Sequence, residues 1–369
     1  MIAAIIVEYN PLHNGHIYHI NKTKEILASL APNENNSIIA IMSGNFTQRG
    51  DIAVLNKYTR AKHALLAGVD MVIELPVIYA TSSAEYFANG AMQIAKKIKD
   101  LNLVCFGAEC DDINTLNTFA DITMTDEYNN LIKTYLKQGL SYPVSSEKAV
   151  QNLAKIDTKI ANSPNNTLGI EYIKQAKTLD LDAKLIAIKR IGGEYNQNDF
   201  DDTFNSAKSI RNAIAQGNFD FESLKIPKFV YDDIINSKID YDRLFAIISS
   251  KIINLNDIYE DTEGIINRIK KYSGQAHNYE ELVELAHTKR YTKSKIRRIL
   301  LHIALNLKNE DLQPIGKPNI LAVKANKKHL LSQIDNSGDL YAEQQNKYAN
   351  QIYNIVSKDK ITKDYMLII

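Results

Sequence analysis

Residues 2–16 read Ile2-Ala3-Ala4-Ile5-Ile6-Val7-Glu8-Tyr9-Asn10-Pro11-Leu12-His13-Asn14-Gly15-His16, and this stretch decides the fold. An apolar run without alternation suits a strand buried on both faces of a parallel sheet. A turn carrying Pro11 and Gly15 follows, and a helical pattern then runs from His16 to Leu30. In open α/β sheets, ligands bind at the carboxyl ends of strands. A helix N-terminus placed there offers unpaired N–H groups and a positive dipole end to phosphate. Gly15 lets the backbone approach a ligand closely. His13 and His16 are three apart, so both can face one phosphate group and stabilise charge that builds on it. Alone, the pair also reads as two ordinary turn histidines. A zinc site from His13, His16 and His19 lacks the acidic partner of a metalloprotease helix. The order strand, turn, helix favours the nucleotide reading.

The same alternation continues outward. Ser37–Met42, Asp70–Leu75, Leu103–Phe106 and Lys184–Ile188 read as further strands. Lys57–Ala67, Ala84–Lys97 and Leu168–Leu179 read as helices between them, with Thr115–Gln138 a helical insertion. Strands alternating with helices predict a doubly wound α/β domain with a parallel sheet. After about Gly217 the strand-like runs thin out. Asp242–Asn254, Thr262–Lys271, Tyr279–His287 and Thr292–Leu307 have helical spacing with dense charge, while Ile320–Val323 and Tyr365–Ile369 fit short strands. The expected division is residues 1–217, α/β, and residues 218–369, mostly helical.

Composition sets bounds on this reading. The chain has 369 residues, 45% hydrophobic and 24% charged, with a net charge of +1. That is ordinary for a globular protein, and a nucleic-acid partner would need a local basic patch. The two cysteines, Cys105 and Cys110, fit neither a disulfide framework nor a zinc site, and a reducing compartment is the simple expectation. No apolar run reaches the ~20 residues of a membrane span. The expectation is a cytoplasmic protein with no membrane or DNA partner and no resident metal. A Walker A loop, Cys-x-x-Cys pairs and a Gly-x-Ser-x-Gly elbow are all missing from the sequence.

Two further stretches carry chemistry. Ser206-Ala207-Lys208-Ser209-Ile210-Arg211 opens a helical pattern, so hydroxyl, backbone N–H and cation can converge on phosphate; the alternative is a helix cap with exposed charges. Lys289-Arg290-Tyr291-Thr292-Lys293-Ser294-Lys295-Ile296-Arg297-Arg298 has six basic residues in ten and no acid. It reads as a stripe that neutralises RNA phosphates, with Tyr291 as a stacking platform, or as a solvated helix face.

The string from Ile6 to His16 resembles the opening of the bacterial tRNA(Met) cytidine acetate ligases, within the nucleotidyltransferases that carry a His-x-Gly-His-type motif. Other segments match in the same order: Met42–Gly50, Arg60-Ala61-Lys62, Gly68–Pro76, Phe106-Gly107-Ala108-Glu109, Pro164–Gly169, Ser206–Arg211 and Thr288–Thr292. Leu12 stands where that family usually has Phe. The resemblance implies a Rossmann-like HUP nucleotidyltransferase domain followed by a helical tRNA-binding domain. It implies that ATP activates acetate to acetyl-adenylate, without acetyl-coenzyme A, and that the acetyl group passes to the 4-amino group of the wobble cytidine of elongator tRNA(Met). Mg²⁺ is expected to shield the triphosphate.

It also implies ATP contacts along Val7-Glu8-Tyr9-Asn10-Pro11-Leu12-His13-Asn14-Gly15-His16-Ile17-Tyr18-His19-Ile20 and at Gly107, Asn165 and Arg190. Gly107 follows a strand end where a side chain would block a base or ribose. Asn165 either reads an adenine edge or caps a helix. Arg190 ends the strand Lys184–Ile188 and points to the same crevice. His13 and His16 are the expected catalytic pair, with Ser209 and Arg211 as the phosphate cradle and Arg49 as a cation for acetate or phosphate. Lys289, Arg290, Tyr291, Lys293, Lys295, Arg297 and Arg298 are the expected tRNA contacts. No residue stands out as a base for acetyl transfer. A small-molecule adenylyltransferase and a non-catalytic tRNA-binding protein are the alternatives.

Overall fold

Ile2–Val7 lies between two cores. Ala3, Ile5 and Val7 face one with Ile20 and Leu27, while Ala4 faces the other with Val104, Phe87 and Phe106. Both faces of this strand are therefore dry, which is why its sequence does not alternate.

The computed structural model describes residues 1–140, 142–154, 158, 160, 163–191, 205–217, 220–253, 255, 257–262, 264–339, 342–362 and 364–369. In chain order the first half forms β1 (Ile2–Val7), α1 (Asn14–Leu30), β2 (Ser37–Ser43), α2 (Lys57–Ala67), β3 (Met71–Leu75), α3 (Val77–Ala80), α4 (Ala84–Lys96), β4 (Leu101–Ala108), α5 (Ile113–Thr123), α6 (Asp126–Lys137), α7 (Tyr142–Leu153), α8 (Pro164–Thr178), β5 (Lys184–Lys189) and α9 (Ala207–Gln216). The rest forms α10 (Phe221–Leu224), α11 (Lys228–Ile234), α12 (Tyr241–Ile252), α13 (Ile265–Ser273), α14 (Tyr279–Ala286), α15 (Lys293–Leu305), β6 (Asn319–Val323), α16 (Glu343–Val356) and β7 (Leu367–Ile368). Among the described residues no helix is long and apolar enough to cross a membrane.

The sheet order is β5-β4-β1-β2-β3-β6-β7. The first five of these are parallel, with β1 pairing β2 from Ile2↔Ser37 to Val7↔Met42. β6 adds antiparallel to β3, and β7 parallel to β6. The expected insertion at 115–138 is two helices, because Thr125 ends one and caps the next, its hydroxyl accepting from Tyr128 N.

The change of character near residue 217 is a change of elements, not of core. Leu244, Leu282, Leu300 and Tyr353 share one continuous core with Phe87, Met92 and Phe106. Polar ties cross the same seam. Asn346 Oδ1 accepts from Val77 N at 3.0 Å, and Asn45 Nδ2 donates to Asn350 Oδ1 at 3.0 Å. Within this seam Lys57 and Glu74 form a buried ion pair at 2.9 Å, and Asn319 of β6 donates to the same carboxylate at 2.6 Å.

Candidate functional site

The strand order reverses direction between β1 and β4, since the chain moves from β1 to β2 on one side and from β4 to β5 on the other. Crevices form at such switch points, outside the carboxyl ends of the strands. Here a crevice of about 680 Å³ opens there. Val7 and Glu8 from the end of β1, Gly107 from β4 and Arg190 after β5 line it. A second hollow of about 670 Å³, bordered by Lys251, Asn306 and Tyr348, shares no lining residue with it.

The histidine pair begins α1. His13 is the N-cap: its Nδ1 accepts from Gly15 N at 3.1 Å, while His16 Nδ1 accepts from His13 N at 3.2 Å. This is a reciprocal capping box with imidazoles in the place of Ser and Glu. The rings stack at 3.7 Å between centroids, and Tyr9 meets His16 edge-on at 5.0 Å. Burial, helped by Arg190 and Arg211, pushes His13 down to about 3. Burial also lowers His16, with His13, Arg190 and His19 acting in the same direction. Both rings are therefore neutral near pH 7. With each Nδ1 accepting a backbone N–H, the proton sits on Nε2. The turn thus presents two neutral N–H donors without the desolvation cost of a buried imidazolium.

Of the expected ATP segment, Val7, Glu8, Tyr9, Asn10, His13, Gly15, His16, Tyr18 and His19 line the crevice. Leu12 and Ile20 are core, at 0% exposure, so Leu12 fills an apolar contact as Phe would. Gly107 lies inside β4, and a Cβ there would reach 3.5 Å from Arg190, in ordinary contact. Asn165 does not cap α8; its amide donates to Glu109 Oε1 at 2.6 Å, and Glu109 Oε2 accepts from Asn166 N. Arg49 also lines the crevice.

Two expectations change. Ser209 is buried, and its hydroxyl donates to Ser206 O at 2.8 Å while Ser206 Oγ accepts from Ser209 N. The helix cap consumes it, and the crevice instead receives Ser206, Lys208 and Arg211. Tyr291 is only 8% exposed, with Arg290 and Lys295 over its ring, so packing takes the face that a base would need. Its neighbours are partly engaged as well. Lys293 pairs with Glu284, Lys295 donates to Thr262, Arg297 pairs with Glu280 and Arg298 with Glu260. Lys289 and Arg290 are exposed. The start of α15 is nonetheless a wall of the crevice, through Thr292, Ser294 and Arg298.

Arg60 and Asp51, which tie the site together, were not among the expected site residues; Glu8 was, as part of the Val7–Ile20 segment, but not for the contacts it makes. Arg60 is wholly buried below the site, donating to the carbonyls of Glu8, Ser43, Gly44 and Leu55, and so ties the ends of β1 and β2 together. Asp51 holds Arg211 at 3.0 Å and faces Arg297 at 3.9 Å. Glu8 lies between them and the sheet, its Oε1 accepting from Gln48 N at 2.9 Å and Ser43 Oγ at 3.3 Å. Asp51 and Glu8 are joined to their partners only by long-range contacts, which spacing cannot reveal. Arg60 stood in a matching motif, but without a stated role.

Fold and crevice together define a nucleotidyltransferase of the HIGH type, and the family model described as HIGH Nucleotidyl Transferase matches residues 1–368. The chain is 37% identical to a tRNA(Met) cytidine acetate ligase of Thermoanaerobacter sp. (strain X514), covering 87% of this chain and 82% of the relative. It is 38% identical to one of Clostridium perfringens, covering 87% and 83%. The crystal structure of Thermotoga maritima TmcAL in its apo form superposes with a TM-score of 0.86 at 26% identity, and the same protein bound with alpha-thio ATP with 0.85 at 25%, each covering 100% of both chains. The chain belongs to the tRNA(Met) cytidine acetate ligase family.

Proposed function

We propose that the protein activates acetate with ATP to acetyl-adenylate and transfers the acetyl group to the 4-amino group of the wobble cytidine of elongator tRNA(Met), in the cytoplasm and without acetyl-coenzyme A. The observation that carries this reading is the pair of neutral Nε2–H donors at the head of α1, set in a crevice lined by Arg49, Arg190, Lys208 and Arg211. Acetate attacks the α-phosphate. His13 and His16 donate to the phosphate oxygens as charge grows on them and on the departing pyrophosphate. One such preorganised donor is worth about 10²–10³ in rate. Lys208 and Arg211, with the N-terminus of α9 beside them, hold the phosphates. Arg49 is placed for acetate or phosphate. Gly107 and Asn165 border the nucleoside end. Mg²⁺ would arrive with the triphosphate and neutralise it through phosphate oxygens; among the described residues no group of three His, Cys, Asp or Glu side chains is placed to hold a metal.

The division at 217/218 serves this reading as a division of labour. Residues 1–217 bind ATP, and residues 218–369 supply the RNA surface. Arg298 faces the crevice, while Lys289, Arg290, Lys293, Lys295 and Arg297 continue the basic stretch outward from it. The test is incubation with labelled acetate, ATP, Mg²⁺ and bacterial tRNA lacking the modification. Label in acetylcytidine that requires ATP, and that drops at least about 100-fold in His16→Ala, is the expected result. Folded protein that binds ATP but puts no label into RNA would overturn the reading.

A further inference from the structure

A carboxylate at a triphosphate site is costly, because it repels the phosphates that the neighbouring cations attract. Glu8 is such a group. It follows the last residue of β1, lines the crevice and has one oxygen fixed. Oε1 takes the Gln48 N–H and the Ser43 hydroxyl, whereas Oε2 has no hydrogen-bond partner among the described residues. An oxygen held in this way awaits a donor, not an anion.

The wall beside it is apolar and aromatic. Phe87, Phe106, Leu168 and Tyr172 line the same crevice. Phe106 and Tyr172 pack edge to face at 5.6 Å, and α8 closes on Phe106 at Gly169, where a Cβ would stand 2.5 Å from the ring. Tyr172 is near enough to Glu8 that the carboxylate, after burial, pushes the phenol further up. Phe87, Phe106 and Tyr172 are 2–5% exposed, so they back the corner without offering a stacking face, and Leu168 is its more open apolar side chain; a flat ring bearing an exocyclic amine can set its N–H on the carboxylate there. Glu is a natural acceptor for the cytosine 4-amino group, and enzymes that modify a base commonly hold it against aromatic and apolar side chains.

We propose that Glu8 Oε2 receives the 4-amino group of the acceptor cytidine and takes its proton during acetyl transfer; this rests on the function proposed above. In the step, N4 attacks the acyl carbon of acetyl-adenylate and a C–N bond forms. The acyl C–O bond to phosphate breaks, and its electron pair leaves on AMP. The N4 proton passes to Glu8 Oε2 and then to water. The products are N4-acetylcytidine, AMP and a proton. Burial, with Asp51 adding to it, raises Glu8 above the usual carboxylate range against the pull of Gln48, Arg211 and Ser43. This makes it the stronger base once ionised.

The test compares two rates in the full chain carrying Glu8→Gln, which keeps the size and the bond from Gln48 N. One is acetate-dependent ATP–pyrophosphate exchange. The other is single-turnover transfer of labelled acetyl from preformed acetyl-adenylate to tRNA. The expected result is a fall of about 10²–10⁴ in the ratio of transfer to exchange. An unchanged ratio overturns the proposal. So does an equal loss of both rates, or a raised KM for ATP with the ratio intact, which would make Glu8 a nucleotide or metal contact. If the parent protein shows no exchange, the proposed function itself fails and this assignment falls with it. Should Glu8→Gln not accumulate folded, Glu8→Asp, which draws the charge back by one methylene, is read by the same ratio.

Discussion

At the scale of single residues, the site is built on imidazoles kept neutral by burial. His13 is lowered to about 3, His19 to about 4, and His16 well below its ordinary value. Burial also lowers His302 deep in the helical core and His63 on α2. Each group sits near 6.5 when the chain is unfolded. Between about 6.5 and 4 the unfolded chain therefore binds protons that the folded one refuses, and stability is lost as the pH is lowered. The contribution is complete above 6.5. Melting temperature should drop on going from pH 7.5 to pH 5, against the smaller opposing contribution of Glu8, Glu171 and Asp359, whose carboxyls burial raises; a flat or rising profile would show that the imidazoles do not dominate. The His13–His16 turn was legible because strand, turn and helix are contiguous in sequence. Ser209 was not, because only the phase of α9 decides which of the four polar residues Ser206, Lys208, Ser209 and Arg211 meet the crevice, and the cap on Ser206 sets that phase. Tyr291 misled for a related reason, since a tyrosine in a basic run looks exposed until its packing partners are known.

At the scale of elements, the sheet and the helices are joined by buried polar contacts as much as by apolar ones. The N-terminus of α2 places Lys57 against Glu74 of β3, both nearly inaccessible, and Asn319 of β6 completes the carboxylate's partners. Removing one side of a buried pair costs about 3–5 kcal/mol, because the remaining charge is left uncompensated. Lys57→Met should lower stability by about that much, read as a shift of the urea midpoint with the slope unchanged. A shift under about 1 kcal/mol would mean that water reaches Glu74. The same kind of contact explains an element that the sequence hid. α16 buries Asn346 and Asn350 and not only Ile352 and Tyr353. Its inward face is therefore polar enough to mask the helical period, and nothing local predicts that these amides bond Val77 and Asn45. β1 to β5 were readable, by contrast, because strands buried on both faces need continuous apolar runs.

At the scale of the whole molecule, the helical half is not an appendage. β6 covers the edge of β3, and core residues on either side of residue 217 touch. Removing residues 218–369 would bare an edge strand and a broad apolar face, the features that drive aggregation. The truncated chain should be recovered insoluble or as large aggregates by size-exclusion chromatography. A monodisperse, ATP-binding fragment would contradict this. Composition made the helical character visible, but the return of the chain to the sheet rests on pairing between residues about 250 apart, such as Val72 and Ala322. The carboxylate of Asp51 has a wider consequence. It is claimed at once by Arg211, proposed to hold the nucleotide's phosphates, and by Arg297 on the helix expected to meet RNA. A phosphate arriving on Arg211 competes for that guanidinium, and what Asp51 then gives to Arg297 changes the charge that RNA encounters. Two ligands that draw on one shared counter-charge are thermodynamically linked, and linkage is reciprocal. Whatever factor a non-hydrolysable ATP analogue applies to the Kd for tRNA, tRNA must apply the same factor to the analogue, and Asp51→Asn should bring both factors towards one.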